Sequence, residues 1–106
     1  MQDFNLEMAK LAAANLKFDP KFRPIRVFGA KSSYGKIFEM NGGRVMKVMP
    51  WGRDAEIEMK IAKIAGNANI GPKVYNTRKY KTWAIMTMDK VLGAQSLYSA
   101  LRNGLS

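Results

Sequence analysis

The triplet Asn41-Gly42-Gly43 stands between two short apolar runs, Lys36 to Met40 and Arg44 to Met49, and this arrangement limits the fold more than any other feature. Such a triplet supplies the positive backbone angles of a tight reversal, and the flanking runs have strand character, so the segment predicts an antiparallel hairpin. Ile25 to Phe28 is a further run of the same kind, ahead of the first. After Pro50-Trp51-Gly52 the period turns helical. Ile57, Ile61, Ile64 and Ala65 recur at spacings of three and four, Asp54 is positioned to cap, and Gly66 to close the helix. Gly71-Pro72 breaks the chain again. Two more strand-like runs follow, Lys73 to Tyr75 and Thr82 to Met88, with Asn76-Thr77-Arg78-Lys79 expected as the turn between them.

Ahead of all this, Phe4, Leu6, Leu11, Ala12 and Leu16 follow helical spacing between Asp3 and Lys17, until Asp19-Pro20 and Pro24 interrupt them. The pattern leaves open whether this helix packs on the sheet or on a partner. Gln95 to Arg102 reads as the opening turns of a last helix. The expected order is helix, three strands, helix, two strands and a helix start.

Composition narrows the chemistry. The chain has 106 residues, 47% of them hydrophobic, which suits one globular domain able to bury roughly 60–70% of its unfolded surface. It contains no Cys and no His. Thiol catalysis, disulfides, thiolate metal sites and imidazole bases are therefore excluded, and any reaction would have to use Asp, Glu, Lys, Ser, Thr or Tyr. The methionines at 46, 49, 59, 86 and 88 read as core filling. No secretory signal is evident, since Asp3 and Glu7 fall where positive charge belongs, and no apolar run reaches the ~20 residues of a membrane span. A cytoplasmic or other intracellular setting without membrane contact is the expectation.

The net charge of +10 invites an anionic partner. Lys73, Arg78, Lys79 and Lys81 cluster with Tyr75, Tyr80 and Trp83, a combination that can grip a nucleic-acid backbone and stack on bases. A surface turn in solvent explains the same residues.

Three features follow one another in a fixed order: a Gly-containing loop, Gly29-Ala30-Lys31-Ser32-Ser33-Tyr34-Gly35-Lys36-Ile37; a lysine in the next run, Arg44-Val45-Met46-Lys47-Val48; and a glutamate in the following helix, Glu58. From Pro24 onward the chain resembles the amino-terminal lobe of the protein-kinase family. The loop is similar to the family's glycine-rich loop, Lys47 to its strand-three lysine and Glu58 to the helix glutamate paired with that lysine. Thr87-Met88-Asp89-Lys90-Val91-Leu92-Gly93 resembles the end of strand five and the hinge, with Met88 in the gatekeeper place and Leu97 opening the next helix. Gly35 takes the last glycine position of the loop. The first two fall on Ala30 and Ser32, or begin at Gly29 with one residue inserted. Glu56 is the alternative acid, and Glu58 is preferred because Ile61 and Ile64 then face inward.

The resemblance implies an α+β fold: a protein-kinase-like small lobe with an antiparallel sheet of about five strands, one principal helix and an extra N-terminal helix. The corresponding division is a helical extension over 1–20, the lobe over 21–92, and the hinge exit with the start of the next helix over 93–106. It implies ATP, with its magnesium, as ligand. Adenine would lie under Ile37 and Val45, backbone groups from Asp89 to Val91 would bond its edge, and Lys47 would meet the phosphates. A loop of small residues lets backbone N–H groups approach a phosphate. The family's His-Arg-Asp and Asp-Phe-Gly segments do not occur, so these residues alone would not transfer phosphate. Gly29 to Lys36 is not a Walker loop, because the glycine spacing is one residue too long and Ile37 replaces the magnesium-binding hydroxyl. Two readings follow. The chain is the ATP-binding lobe of a serine/threonine phosphotransferase, its underside covered by a second lobe or another chain. Alternatively it is a non-catalytic, pseudokinase-like scaffold, similar in style to small kinase-like proteins of large DNA viruses and acting through protein contacts, as in a virion.

Overall fold

The computed structural model of the protein describes residues 4–28 and 36–90. Seven elements follow in chain order: α1 (Leu6–Asn15), β1 (Pro24–Val27), β2 (Lys36–Met40), β3 (Arg44–Pro50), α2 (Arg53–Asn67), β4 (Val74–Tyr80) and β5 (Trp83–Asp89). The strands form one antiparallel sheet in the order β1-β2-β3-β5-β4, with β3 in the centre. The expected last helix, Gln95 to Arg102, lies outside the described residues.

Side chains alternate across β3, so its two faces serve two separate cores. Met46 and Val48 join Phe38, Met40 and Ile85 beneath α1, which contributes Ala9, Ala12 and Ala13, together with Phe4 just ahead of it. Met49 joins Ala84 and Met86 beneath α2, which contributes Ala55 and Met59. The question of where α1 packs is thereby answered: it lies on the sheet. Small alanines let its backbone come close, and Leu11, read from its spacing as an inward residue, is instead exposed. The helix starts later than Asp3, because the Asn5 side chain accepts the Met8 amide hydrogen at 2.9 Å and caps it. It ends before Lys17, which takes a left-handed conformation while Phe18 and Lys17 donate back to Ala13 and Ala14.

The β2–β3 hairpin forms as expected, with Met40 opposite Arg44. Asn41 ties its turn to the preceding segment, accepting from the Arg23 amide at 2.5 Å and donating to the Lys21 carbonyl at 2.6 Å. Gly42 has φ +77°, and a Cβ there would meet the Phe22 ring at 2.5 Å. The Arg44 guanidinium lies 3.5 Å from the ring centroids of both Phe22 and Tyr75, tying the start of β3 to the segment before β1 and to β4.

Three local expectations are corrected. Residues 76–79 are strand, and the β4–β5 reversal is the two-residue loop Lys81-Thr82, with Lys81 left-handed. The polar residues read as a turn suit an edge strand, where one backbone edge faces solvent, and Asn76 donates to Thr87 Oγ1 at 2.8 Å instead of turning the chain. Asp54 does not cap α2, since Gly52 holds that position without a side-chain bond and Asp54 sits in the first turn. Gly66 does not close the helix. Asn69 takes the left-handed position past its end, with Ile70 donating to the Ala65 carbonyl.

Gly66 serves close approach, because a Cβ there would stand 2.8 Å from the Pro72 carbonyl oxygen and 3.3 Å from backbone atoms of Lys73 and Val74. Gly66→Ala is therefore expected to lower the urea midpoint, costing about 1–3 kcal/mol by overpacking. Helix propensity alone would give a gain of up to ~1 kcal/mol, and an unchanged or raised midpoint would contradict the packing assignment.

Candidate functional site

The α2-facing side of the sheet carries a cation among apolar neighbours. Val45, Lys47 and Met49 alternate onto this side of β3, and the sheet register sets Ile37 opposite Lys47 on β2, with Met86 opposite Lys47 and Met88 opposite Val45 on β5. Val45 and Met86 are buried, while Ile37 and Met88 are half-buried. From α2, Glu58 reaches down so that its Oε2 lies 2.5 Å from Lys47 Nζ. That oxygen is buried and has no hydrogen-bond partner, so its contact with the ammonium is an ion pair outside hydrogen-bond angles. The pair is not sealed: the Lys47 side chain is 25% exposed and that of Glu58 39%. A cavity of about 530 Å³ beside it is lined by Met49, Asp54, Ile57, Glu58 and Ile61, among others.

The choice of Glu58 over Glu56 holds, but for a different reason from the one the spacing offered. Ile61 and Ile64 do not face inward; Ala55 and Met59 do, with Ala62 packed against them. Glu58 borders that small-residue face and therefore points at β3. Glu56, roughly 200° further round the helix, lines the groove toward β4.

At the far end of β5, the Asp89 amide donates to the Lys73 carbonyl at 2.9 Å and the Lys90 amide to the Gly43 carbonyl at 2.8 Å. Both N–H groups are thus used within the protein and are not free to bond a base edge. The Asp89 carboxylate accepts from the Tyr75 hydroxyl at 2.7 Å. That bond holds the phenol above its ordinary pKa, with burial and the carboxylate charge adding to the effect and Arg44 opposing it. Gly29, Ala30, Ser32, Tyr34, Gly35 and Val91 lie outside the described residues.

A neighbouring acid was not singled out from the sequence. Glu39 lies two residues beyond Ile37 on the same face, opposite Val45, and alternation from Ile37 was the signal that could have found it. Arg26 Nε approaches its carboxylate at 2.9 Å and Lys90 Nζ at 3.5 Å, while Lys90 also lies over the Phe28 ring. Burial works against ionisation of Glu39, yet the hydrogen bond and charge of Arg26, with Lys90, hold its carboxyl below the ordinary range.

The rings expected to stack on nucleic-acid bases are occupied. The Tyr80 hydroxyl accepts from Asn15 at 2.8 Å, Trp83 packs edge-on against Phe4, and Tyr75 lies against Arg44. Among the described residues no group of three or more acidic side chains could hold a metal ion, and no helix is long and apolar enough to cross a membrane. In comparison with known proteins, no family model matches the chain and no curated protein sequence matches it.

The Glu39 assignment has a pH signature. A depressed native pKa contributes stability above the ordinary carboxylate value of 4.5, and that contribution disappears as pH falls through the native value. The difference in unfolding free energy between the protein and its Glu39→Gln variant should be constant from neutral pH down to about 5 and shrink below it. A difference independent of pH throughout would contradict the assignment.

Proposed function

We propose that the α2-facing side of the sheet binds a nucleoside triphosphate, in the manner of the small lobe of a protein-kinase-like serine/threonine phosphotransferase. The observation that carries the reading is the Lys47–Glu58 pair, formed between the central strand and a helix, half-open to solvent, and set beside Ile37, Val45, Met86 and Met88. A flexible lysine stem held by a carboxylate presents its charge at a fixed place, which is what a polyphosphate requires. A surface-type pair of this exposure contributes only about 0–1 kcal/mol to stability, so ligand binding is a better reason for it than folding.

The residues fit the organic and anionic parts of ATP. Ile37, Val45 and Met88 would cover the base, the backbone from Asp89 to Val91 would face its edge, and Lys47 would meet the phosphates. Magnesium would accompany the nucleotide, screening phosphate charge, since the described residues provide no carboxylate cluster of their own for it. With no His-Arg-Asp or Asp-Phe-Gly segment in the sequence, the role assigned to these 106 residues is binding. A second reading, a non-catalytic scaffold acting through protein contacts, is favoured by one specific observation: three isoleucines of α2 lie exposed.

Calorimetric titration with magnesium–ATP should show saturable binding that Lys47→Ala abolishes, while the variant unfolds within about 1 kcal/mol of the original chain. Absence of binding by the original chain would refute the nucleotide reading.

A further inference from the structure

Helix α2 turns its most apolar residues away from the protein. Ile57, Ile61 and Ile64 are 48%, 61% and 61% exposed, and they fall within an arc of about 60° on the side opposite Ala55 and Met59. Isoleucines at i, i+4 and i+7 form a continuous stripe, whereas scattered exposed apolar residues would need no explanation. Beside the stripe runs a groove of about 490 Å³ between α2 and β4, shared by Ile64 with Trp51 and Met59. Its rim holds Lys60, Lys63, Arg78 and Lys79 against one acid, Glu56. Lys79 lies 5.4 Å from the Trp51 ring centroid, and Arg78 donates to the Thr77 carbonyl. Neither Lys60 nor Lys63 is paired with a carboxylate among the described residues.

We propose that the outer face of α2, with its groove against β4, docks an acidic amphipathic helix of another protein, whose apolar side covers Ile57, Ile61 and Ile64 and whose carboxylates meet Lys60, Lys63 and Lys79. The stripe sets the spacing of the partner's anchors, and the rim sets the sign of their flanks. A second copy of this chain is a poor occupant, because a net charge of +10 and a basic rim repel themselves. Residues 91–106 of the chain contain no Asp or Glu and cannot answer the rim. Nucleic acid would satisfy the cations and leave the isoleucines uncovered. The proposal does not depend on nucleotide binding.

The probe is a labelled synthetic helix with leucines at i, i+3, i+4 and i+7 and glutamates on the single flank that meets Lys60 and Lys63, since Asp54 and Glu58 border the other side of the stripe, titrated into the full chain by fluorescence anisotropy. Controls are the same residues in shuffled order, a lysine-flanked version and a single-stranded oligonucleotide. The acidic helix should bind in the micromolar range, and about tenfold or more weaker to the double variants Ile57→Ser/Ile61→Ser and Lys60→Glu/Lys63→Glu. Thermal melts unchanged from the original chain establish that these surface variants fold, and Lys47→Ala should bind the helix normally. No binding of the acidic helix overturns the proposal. Equal binding of the shuffled peptide or the oligonucleotide, insensitive to the isoleucines, overturns it in favour of a bare charge patch. Self-association in light scattering that Ile57→Ser/Ile61→Ser dissolves overturns it in favour of a second copy.

Discussion

The alternation of β3 is the constraint on which the rest of the molecule depends. Seven consecutive residues in the middle of the sheet send Met46 and Val48 to one helix and Val45, Lys47 and Met49 to the other. A one-residue slip would bury Lys47 beneath the alanines of α1 and move Met46 into the place facing Glu58. Such a slip is opposed twice at the start of β3. The Asn41-Gly42-Gly43 turn is tied to Lys21 and Arg23, and Arg44 is held between Phe22 and Tyr75. The position of Lys47 is thus a consequence of hairpin chemistry several residues away.

The two helices use the sheet differently. α1 closes its face with Phe4 and three alanines, and Phe38, Met46, Val48 and Ile85 beneath it are almost completely buried. α2 touches the opposite face through Ala55, Met59 and Ala62, a narrow contact that leaves Lys47 and Glu58 open at its margin. Small residues on both contact faces bring helix and sheet close together, and Gly66 does the same where α2 passes the chain entering β4. Large apolar residues on α2 are accordingly turned outward.

Much of this was legible in the sequence. The element order, the β2–β3 hairpin and the methionine-rich cores follow from spacing and turn residues, while the Lys47–Glu58 pairing was an expectation of the family resemblance alone. What was misread has one physical origin: size and polarity are weak guides to direction when backbones pack closely. The isoleucines of α2 look like a core face, yet its alanines and glycine make the contact. Asn76 and Thr77 look like a turn, yet they pair along an edge strand, while Lys81 and Thr82 make the reversal without a glycine or asparagine to announce it. Glu39 was hidden because its partners, Arg26 and Lys90, lie 13 and 51 residues away along the chain.

The eight methionines provide a direct readout of the central claim, that an anionic nucleotide binds the Lys47 face. Met86 and Met88 lie on that face, whereas Met40 and Met46 lie beneath α1. In a methyl-labelled NMR titration with magnesium–ATP, the Met86 and Met88 resonances should move in a saturable manner while Met40 and Met46 stay in place. Shifts confined to Met40 and Met46, or no shifts at all, would contradict the account.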